Sequence, residues 1–497
     1  MKSTDVHLHT RHPIGAVDRR IFGGFLEHMG RAVYQGVYEP ESPKADAEGW
    51  RSDVLESLRG LDMTLMRYPG GNFVSGYHWQ DGVGPRDQRP RVREKAWNSI
   101  ESNQVGTDEF LQLADRMGWE PMMAVNLGTG TPEEAHDWVE YCNGREGTRY
   151  ADLRVAHGRK EPYDIKLWCL GNEMAGDWQI GHVPAEEYAL RAQQTAKLIK
   201  DLDPTIQLVA SGSATTWLPS YLEWDRVVLE KLGDAADYLS LHNYVGNYAD
   251  DTMDFLASPQ SIERQISEVD SVCRYVQGKL RSKKRAFLAF DEWNVWYRTL
   301  NAEHTNGHGQ FAPPLIEEQY NLEDALVVAG FLHAFVRNAD VLKIANLAQI
   351  VNVIAPILTR RDDLLVQSIY WPFEMFSKRR EGISLRPVVD GPSYESASHG
   401  LTQHVDASAI LGDGQLHVFL TNRDDEATEV AVQLSDVSAV EAISAEILTG
   451  HDAKASNDWE ARDVIRALPF EDLKIAGQTV TFELPPMSFV AATLRLG

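Results

Sequence analysis

The sequence predicts a (β/α)₈ barrel, the TIM-barrel fold class, followed by an antiparallel β-sandwich of jelly-roll type. Between about residues 21 and 380, eight short apolar runs alternate with longer segments of helical periodicity, which is typical of an eight-stranded parallel barrel. After about residue 385, apolar and polar residues alternate between Gly, Asp and Asn turns, which is typical of antiparallel strands. We therefore expect a barrel domain over residues 18–385 and a sandwich domain formed by residues 386–497 with residues 1–17.

The eight apolar runs are the predicted barrel strands. In chain order they are Ile21–His28, Thr64–Asn72, Glu120–Gly128, Ile165–Glu173, Ile206–Gly212, Tyr238–Tyr244, Arg285–Asn294 and Leu342–Asn352. A doubly wound open sheet would show the same alternation. The barrel is favoured because there are eight runs and because no nucleotide-binding fingerprint opens the chain.

Four of the intervening segments carry clear helix signals. Thr107–Gly118 begins at a Thr or Asp cap and ends at a glycine, and Pro132–Cys142 has a proline in its first turn. Pro184–Pro204 and Ser261–Leu280 place apolar residues at helical spacing. Near the N-terminus, Asp5–Thr10 alternates instead, and we expect it to add a strand to the sandwich and bring the termini together.

Composition and charge limit the classes of function. The 497 residues are 43% hydrophobic and carry a net charge of -25, which argues against binding to nucleic acid or to anionic membranes. The N-terminus lacks the apolar segment of a secretory signal, so we expect a cytoplasmic protein. Cys142, Cys169 and Cys273 are few and widely spaced, which favours core packing over disulfides or a metal site.

Polar side chains follow seven of the eight predicted strands, and only the fifth ends in Ser211 and Gly212. The others end in Glu27, in Arg67 and Asn72, in Asn126, in Asn172 and Glu173, in His242 to Tyr244, in Asp291 to Asn294, and in Gln349 and Asn352. In a parallel barrel these ends meet on one face, where active sites are built. Carboxylates, amides, an Arg and a His on one rim therefore predict an active site.

Glu173 and Glu292 form the pair with the clearest chemistry, because they end the fourth and seventh strands and face one cavity. Two such carboxyls serve glycoside hydrolysis: one donates a proton to the leaving oxygen, and the other attacks the anomeric carbon or activates water. Asn172 can bind a sugar hydroxyl near the reacting carbon. Tyr244 can hold the nucleophile, and His242 can hydrogen-bond a carboxyl or the substrate.

Two other chemistries use similar residues. Glu173, His242 and Glu292 could ligate a divalent metal, but their Asn, Tyr and Gln neighbours suit sugar hydroxyls better. A Schiff-base aldolase needs a lysine at the carboxyl end of a strand. Lys166 and Lys343 stand at strand starts, on the opposite face of the barrel.

Aromatic residues near these strand ends fit a sugar site, because flat sugar faces stack on indole rings. Trp97 lies in the long loop after the second strand, and Trp296 follows Glu292 closely. We expect both to form walls of the site. The polar, glycine-containing segment Asn301–Pro314 is expected to be a mobile lid over the barrel mouth.

Several motifs carry a family resemblance that runs nearly from end to end of the chain. They read FGGFLEHMGRAVYQGVYEP, MRYPGGNFVSGYHWQDGVGP, WCLGNEM, SLHNYVGN and FDEWNVWY. In this combination the sequence resembles the α-L-arabinofuranosidases of glycoside hydrolase family 51. The resemblance implies retaining chemistry without a metal or other cofactor, with Glu173 of the GNE motif as the acid/base and Glu292 of the DEW motif as the nucleophile.

The same resemblance implies roles for other residues. Those expected to hold the substrate are Glu27, Asn72, Asn172, Tyr244 and Gln349, and those expected to support the carboxylates are Arg67 and His242. It also implies a homohexamer. The combined prediction is an exo-acting enzyme that releases terminal L-arabinofuranose from oligosaccharides of arabinan or arabinoxylan, with the two carboxyls about 5–5.5 Å apart. The alternatives are a xylosidase or endoglucanase on the same scaffold, or a catalytically inactive sugar-binding protein.

Overall fold

Eight parallel strands close into a barrel in the computed structural model, which describes residues 2–497. Each strand pairs with its neighbour in the chain, and the eighth pairs with the first. The strands are Gly23–Phe25, Leu65–Tyr68, Glu120–Val125, Leu167–Leu170, Gln207–Ala210, Tyr238–Val245, Phe287–Val295 and Leu342–Ala348. The predicted barrel is confirmed, and each strand overlaps its predicted run.

The described residues form eleven α-helices, and the four predicted helices are among them. The helices are Ser52–Leu61, Thr107–Met117, Pro132–Asn143, Arg149–Ala156, Ala185–Leu202, Glu223–Leu232, Thr252–Leu256, Pro259–Leu280, Ala302–Thr305, Leu322–Arg337 and Tyr370–Ser377. Local signals fix their ends: Thr131 accepts from the backbone N–H of Glu134 at 3.0 Å, and Gly118 ends its helix at φ +72°. Short 3₁₀ turns span Arg19–Phe22, Asn72–Gly76, Trp79–Gly82, Arg86–Gln88 and Gly233–Ala235.

The helix Leu322–Arg337 is buried along nearly its whole length between the barrel and the sandwich. Towards the barrel, Phe331 and Phe335 pack on the ring of Trp293, with centroids 5.1 Å away in both pairs. On another side, His333 contacts the sandwich. Because apolar residues are needed on every side, this helix has no amphipathic pattern to read from the sequence.

Two sheets pack face to face after the barrel. In spatial order, the larger sheet contains Pro13–Ala16, Ile383–Leu385, Val405–Gly412, Gln415–Asn422, Ser488–Leu496, Ala439–Leu448 and Leu468–Pro469. The smaller contains Val388–Asp390, Lys2–Leu8, Thr428–Leu434, Thr479–Leu484 and Leu473–Ala476. Apolar side chains of both sheets, among them Val418 and Val430, share one core.

The N-terminal strand Lys2–Leu8 lies in the smaller sheet and overlaps the strand predicted over Asp5–Thr10. It pairs antiparallel with Val388–Asp390 but parallel with Thr428–Leu434, so this sheet contains one parallel pair. The strand Ile383–Leu385 already pairs with the sandwich strand Val405–Gly412. The domain boundary at residue 385 stays a prediction.

Minor elements complete the described structure. Three two-stranded ladders join Val92–Arg93 to Ile100–Glu101, Ile357–Arg360 to Asp363–Val366, and Ser393–Ser396 to Gly400–Gln403. The three cysteines are buried, in line with the expected core packing. Among residues 2–497, no helix is both long enough and apolar enough to cross a membrane.

Candidate active site

A cavity of about 520 Å³ opens where the carboxyl ends of the barrel strands meet. Its lining includes eight of the predicted site residues: Glu27, Asn72, Trp97, Glu173, Tyr244, Glu292, Trp296 and Gln349. The other three, Arg67, Asn172 and His242, are buried and hydrogen-bond within or next to this lining. The structure therefore brings every predicted site residue to one place.

Glu173 reaches the cavity through a sharp turn after the fourth strand. Gly171 has φ +83°, a conformation that favours glycine. The turn is fixed by the backbone N–H of Met174, which donates to Ser211 Oγ at 3.1 Å. The apolar strand thus ends in a turn that places the Glu173 carboxylate in the cavity wall.

Both oxygens of the Glu173 carboxyl have a hydrogen-bond partner. His242 Nδ1 lies 2.9 Å from Oε1, and Trp178 Nε1 donates to Oε2 at 2.6 Å. The side chain remains 11% exposed. Glu173 is therefore oriented by two ring N–H groups while it still faces the open cavity.

Glu292 is held by a cation and a phenol. Arg67 Nη1 donates to its Oε1 at 2.6 Å, and the Tyr244 hydroxyl donates to its Oε2 at 2.8 Å. The backbone also comes close, because a Cβ on Gly71 would lie 2.8 Å from Oε1. One carboxylate oxygen of Glu292 lies within 4.8 Å of one of Glu173. The two carboxyls share one small volume.

Arg67 is the buried cation behind the site. Burial lowers its pKa, but Asp291 and Glu292 outweigh this effect and leave the pKa above its usual value. Its Nη2 donates to Asn172 Oδ1 at 2.5 Å, and its guanidinium lies 4.5 Å from the ring centroid of Phe25. Arg67 therefore fixes Glu292 and Asn172 together.

His242 carries a positive charge between three carboxylates. Burial lowers its pKa, but Glu292, together with hydrogen bonds to Asp291 and Glu173, raises it to about 10. On the far side of the ring, Nε2 lies 3.5 Å from Asp291 Oδ1. Both ring nitrogens therefore carry a proton at neutral pH.

Glu27 is a third carboxyl at the mouth, and it differs from the other two. Burial, and then the charge of Glu292, raise its pKa to about 7. Its Oε1 accepts from Phe73 N at 2.9 Å and from Trp97 Nε1 at 3.1 Å. Its Oε2 accepts from Gln349 Nε2 at 3.2 Å. Glu27 thus joins one indole wall to the loop after the eighth strand.

The possible metal ligands Glu173, His242 and Glu292 have donor atoms within 4.8 Å of one another. Their chemistry does not suit a cation, because a doubly protonated imidazole offers no lone pair. Arg67 also places a positive charge 2.6 Å from Glu292. The expectation of metal-independent activity stays a prediction.

Comparisons with known proteins show the family of the chain. The family model described as Alpha-L-arabinofuranosidase 1 domain matches residues 57–256, and the Alpha-L-arabinofuranosidase C-terminal domain matches residues 291–488. The chain is 42% identical over 468 residues to the intracellular exo-α-(1→5)-L-arabinofuranosidase 1 of Bacillus subtilis, which covers 94% of each chain. The chain belongs to the α-L-arabinofuranosidases of glycoside hydrolase family 51.

Other members of family 51 extend the likeness. The exo-α-(1→6)-L-arabinofuranosidase of Bifidobacterium longum is 39% identical over 499 residues, covering 97% of this chain and 95% of the relative. The solved structure of AbfB, a family 51 α-L-arabinofuranosidase from the same species, has a TM-score of 0.95 at 34% identity and covers all of both chains. These relatives do not favour the xylosidase, endoglucanase or inactive-protein alternatives.

Some lining residues of this family 51 chain escape sequence reasoning. They include Phe25, Met29, Trp178, Trp217, Tyr248, Ile316, Val353 and Ile354. Most lie in loops, where no periodicity marks them. A tryptophan five positions after the carboxylate of the GNE motif is the one signal that points to Trp178.

Segment 301–314, the predicted lid, supports a wall of the cavity. Gly307 N donates to Trp97 O at 2.7 Å, and Gly309 N donates to Asn98 O at 2.6 Å. Among the described residues, Leu300 and Ile316 line the cavity at the two ends of this segment, and none between them does. The segment therefore braces the loop of Trp97, and its mobility stays a prediction.

Proposed function

We propose that the protein is a retaining, exo-acting α-L-arabinofuranosidase with Glu292 as nucleophile and Glu173 as acid/base. The observation that carries this proposal is the approach of the two carboxyls, because one oxygen of Glu292 lies within 4.8 Å of one oxygen of Glu173. Retaining glycosidases place their carboxyls about 5–5.5 Å apart, whereas inverting enzymes leave about 6.5–9.5 Å for a water molecule. The spacing supports direct attack by a carboxylate.

The environments of the two residues support their assignment. Glu292 has Arg67 on one oxygen and Tyr244 on the other, so its negative charge is stabilised and its orientation is fixed. Glu173 lies at the more open side, with a protonated His242 at 2.9 Å. A carboxyl that can exchange a proton with a neighbouring imidazolium suits the acid/base role.

The reaction then takes two displacements. Glu292 bonds to the anomeric carbon while the bond from that carbon to the leaving oxygen breaks, and Glu173 gives its proton to that oxygen. Glu173, now a carboxylate, takes a proton from water, whose oxygen attacks the same carbon and releases Glu292. The two inversions together retain the configuration.

The lining around Glu27 supports recognition of a terminal sugar. Glu27, Gln349 and Asn72 present carboxyl and amide groups that match sugar hydroxyls, and Trp97 closes one wall. The Bacillus and Bifidobacterium relatives are both named exo-acting, but on (1→5) and (1→6) linkages respectively. We assign a terminal L-arabinofuranosyl group of arabinan- or arabinoxylan-derived oligosaccharides as the substrate.

Location and assembly are further parts of the proposal. The Bacillus relative is named intracellular, which supports a cytoplasmic enzyme acting on short oligosaccharides. The homohexamer rests on the family resemblance. Light scattering coupled to size-exclusion chromatography of the full chain checks it directly, and a monomer would contradict it.

The test is hydrolysis of 4-nitrophenyl α-L-arabinofuranoside in water–methanol, with the methyl glycoside identified by NMR. We expect the methyl α-L-arabinofuranoside, because retention places methanol on the face that the leaving group occupied. The β anomer would contradict retention. No release from this substrate, with turnover of 4-nitrophenyl β-D-xylopyranoside, would contradict the arabinofuranosidase itself. Activity that disappears in EDTA and returns with added zinc or manganese would contradict metal independence.

A further inference from the structure

An exposed pair of indole rings extends the cavity outward from Glu173. Trp178 is 39% exposed and Trp217 is 70% exposed, although both rings line the cavity. Their ring centroids are 5.5 Å apart and their planes are inclined by 40°. Since large apolar side chains are usually covered in the folded protein, two exposed indoles side by side at an active site indicate a binding surface.

The loop that carries Trp217 is firmly anchored. Ser213 follows the fifth barrel strand, and both its backbone N–H and its hydroxyl donate to the buried carboxylate of Asp225, at 2.7 and 2.9 Å. Leu218 turns inward and is only 9% exposed. The loop therefore has a buried residue next to Trp217, while the indole itself is presented to solvent.

The contacts from Glu173 to Trp178 and from Trp178 to Trp217 show in which direction the indole surface extends from the acid. Trp178 Nε1 donates to Glu173 at 2.6 Å, and the ring of Trp217 lies on Trp178. The acid must reach the oxygen of the leaving group, so the groups next to Glu173 on its outer side flank the leaving group. Trp178 then lies beside the first sugar of the leaving group, and Trp217 lies about one sugar ring farther out.

We infer that Trp217 binds the second sugar of the leaving group, so that the enzyme favours linear arabinofuranosyl oligosaccharides of three or more sugars. This inference rests on the proposed function, because it takes the leaving group to be a sugar chain. A sugar face on an indole buries apolar surface without needing a fixed hydrogen-bond pattern. Trp217 would thus select for chain length and not for the terminal sugar.

The test compares kcat/KM of wild type and Trp217→Ala on three substrates: 4-nitrophenyl α-L-arabinofuranoside, α-1,5-arabinobiose and α-1,5-arabinotriose. We expect kcat/KM of the variant to fall roughly five- to tenfold on arabinotriose only, which corresponds to the binding free energy of one aromatic contact. Trp217→Phe should keep most of the preference for arabinotriose. Tyr275→Ala is the matched control, because Tyr275 is 55% exposed on the helix Pro259–Leu280 and does not line the cavity.

The outcomes separate this inference from the proposed function. A wild type that is inactive on all three substrates would overturn both. If the wild type is active, but Trp217→Ala lowers kcat/KM equally on all three substrates or on none, the second-sugar site alone is overturned. Equal melting temperatures of the four proteins exclude a folding defect as the cause of a difference.

Discussion

Two buried histidines show how differently the barrel mouth and the barrel–sandwich interface treat the same side chain. Both His242 and His333 are almost inaccessible to solvent. The pKa of His242 is raised to about 10, whereas the pKa of His333 is lowered to about 3. One imidazole is therefore charged at neutral pH and the other is neutral.

The neighbours of each ring explain the difference. Burial lowers the pKa in both places, but at the mouth His242 has the carboxylates of Glu292, Asp291 and Glu173 around it. At the interface, His333 meets hydroxyls instead: Nδ1 lies 2.8 Å from Ser408 Oγ and Nε2 lies 3.0 Å from Thr421 Oγ1. Burial, with the nearby cations Arg337 and Arg423, therefore keeps His333 neutral, whereas at the mouth the carboxylates outweigh burial and keep His242 charged.

The balance of charge also separates the two regions. At the interface, Asp406 is paired with Arg337 at 2.6 Å and with Arg423 at 2.5 Å, so its charge is fully compensated. Among the described residues at the mouth, Asp291 and three glutamates are balanced by the two cations Arg67 and His242. The excess of carboxyls helps raise the pKa of Glu27 to about 7, and it leaves a carboxyl free to carry a proton at the mouth.

The largest expected effect lies at the mouth. Glu292→Ala should lower kcat by at least about 10⁴-fold on every arabinofuranoside, because no covalent intermediate can form. Single-turnover and steady-state assays on the aryl substrate measure the loss, and circular dichroism confirms that the variant folds. Activity within tenfold of wild type would remove Glu292 from the reaction.

The second-largest expected loss of activity comes from replacing His242, the protonated histidine beside Glu173. His242→Gln should lower kcat about 10²-fold, since the acid loses its orienting partner. His242 has a pKa of about 10 in the folded protein, against 6.5 for an ordinary histidine, so its protonation also stabilises the fold. This stabilisation is complete below pH 6.5 and is lost as the pH rises towards 10. Melting temperatures between pH 6.5 and 10 should therefore fall less in the variant than in wild type. Parallel curves would contradict the charged state of His242.

At the barrel–sandwich interface, the buried histidine should change the pH dependence of stability in the opposite direction. Between pH 6.5 and about 3 only the unfolded chain binds a proton at His333, because the pKa of this histidine is lowered in the folded protein. The stability of the fold is therefore unaffected by His333 above pH 6.5 and decreases as the pH falls towards 3. His333→Gln should therefore reduce the loss of stability on acidification, by up to about 1.4 kcal/mol per pH unit, and leave kcat within about twofold. An unchanged acid dependence would contradict a neutral His333.

The smallest loss of activity expected at the mouth tests Trp178, the other partner of Glu173. Trp178→Phe keeps an aromatic ring but removes the N–H that donates to Glu173 Oε2, so kcat/KM should fall by roughly three- to thirtyfold. The alkaline limb of the pH–rate profile should move to higher pH with it, because that limb reports loss of the proton that Glu173 donates and the indole N–H stabilises the ionised carboxyl. A fall in activity with no change in that profile would mean that Trp178 acts by packing alone.

Sequence reasoning succeeded where a signal is local and failed where it depends on tertiary contacts. The GNE and DEW motifs stand at strand ends, so the barrel topology alone brings Glu173 and Glu292 together. Trp217 lies in a loop without periodicity, and its proposed role depends on its contact with the ring of Trp178 in another loop. The helix Leu322–Arg337 is apolar on all sides, so nothing in its pattern shows that it lies between two domains. The neutral state of His333 depends on its burial, and its hydrogen-bond partners lie 75 and 88 residues away.

The most direct test of the central claim is azide rescue of two variants, Glu173→Ala and Glu292→Ala, with NMR identification of the arabinofuranosyl azide formed from an activated aryl substrate. In Glu173→Ala the glycosyl-enzyme still forms, and azide attacks it without a general base. We predict a product of retained configuration. In Glu292→Ala any azide product must arise by a single displacement from the emptied cavity, and its configuration should be inverted. Exchange of the two configurations between the variants would show that the nucleophile and the acid/base are assigned the wrong way round.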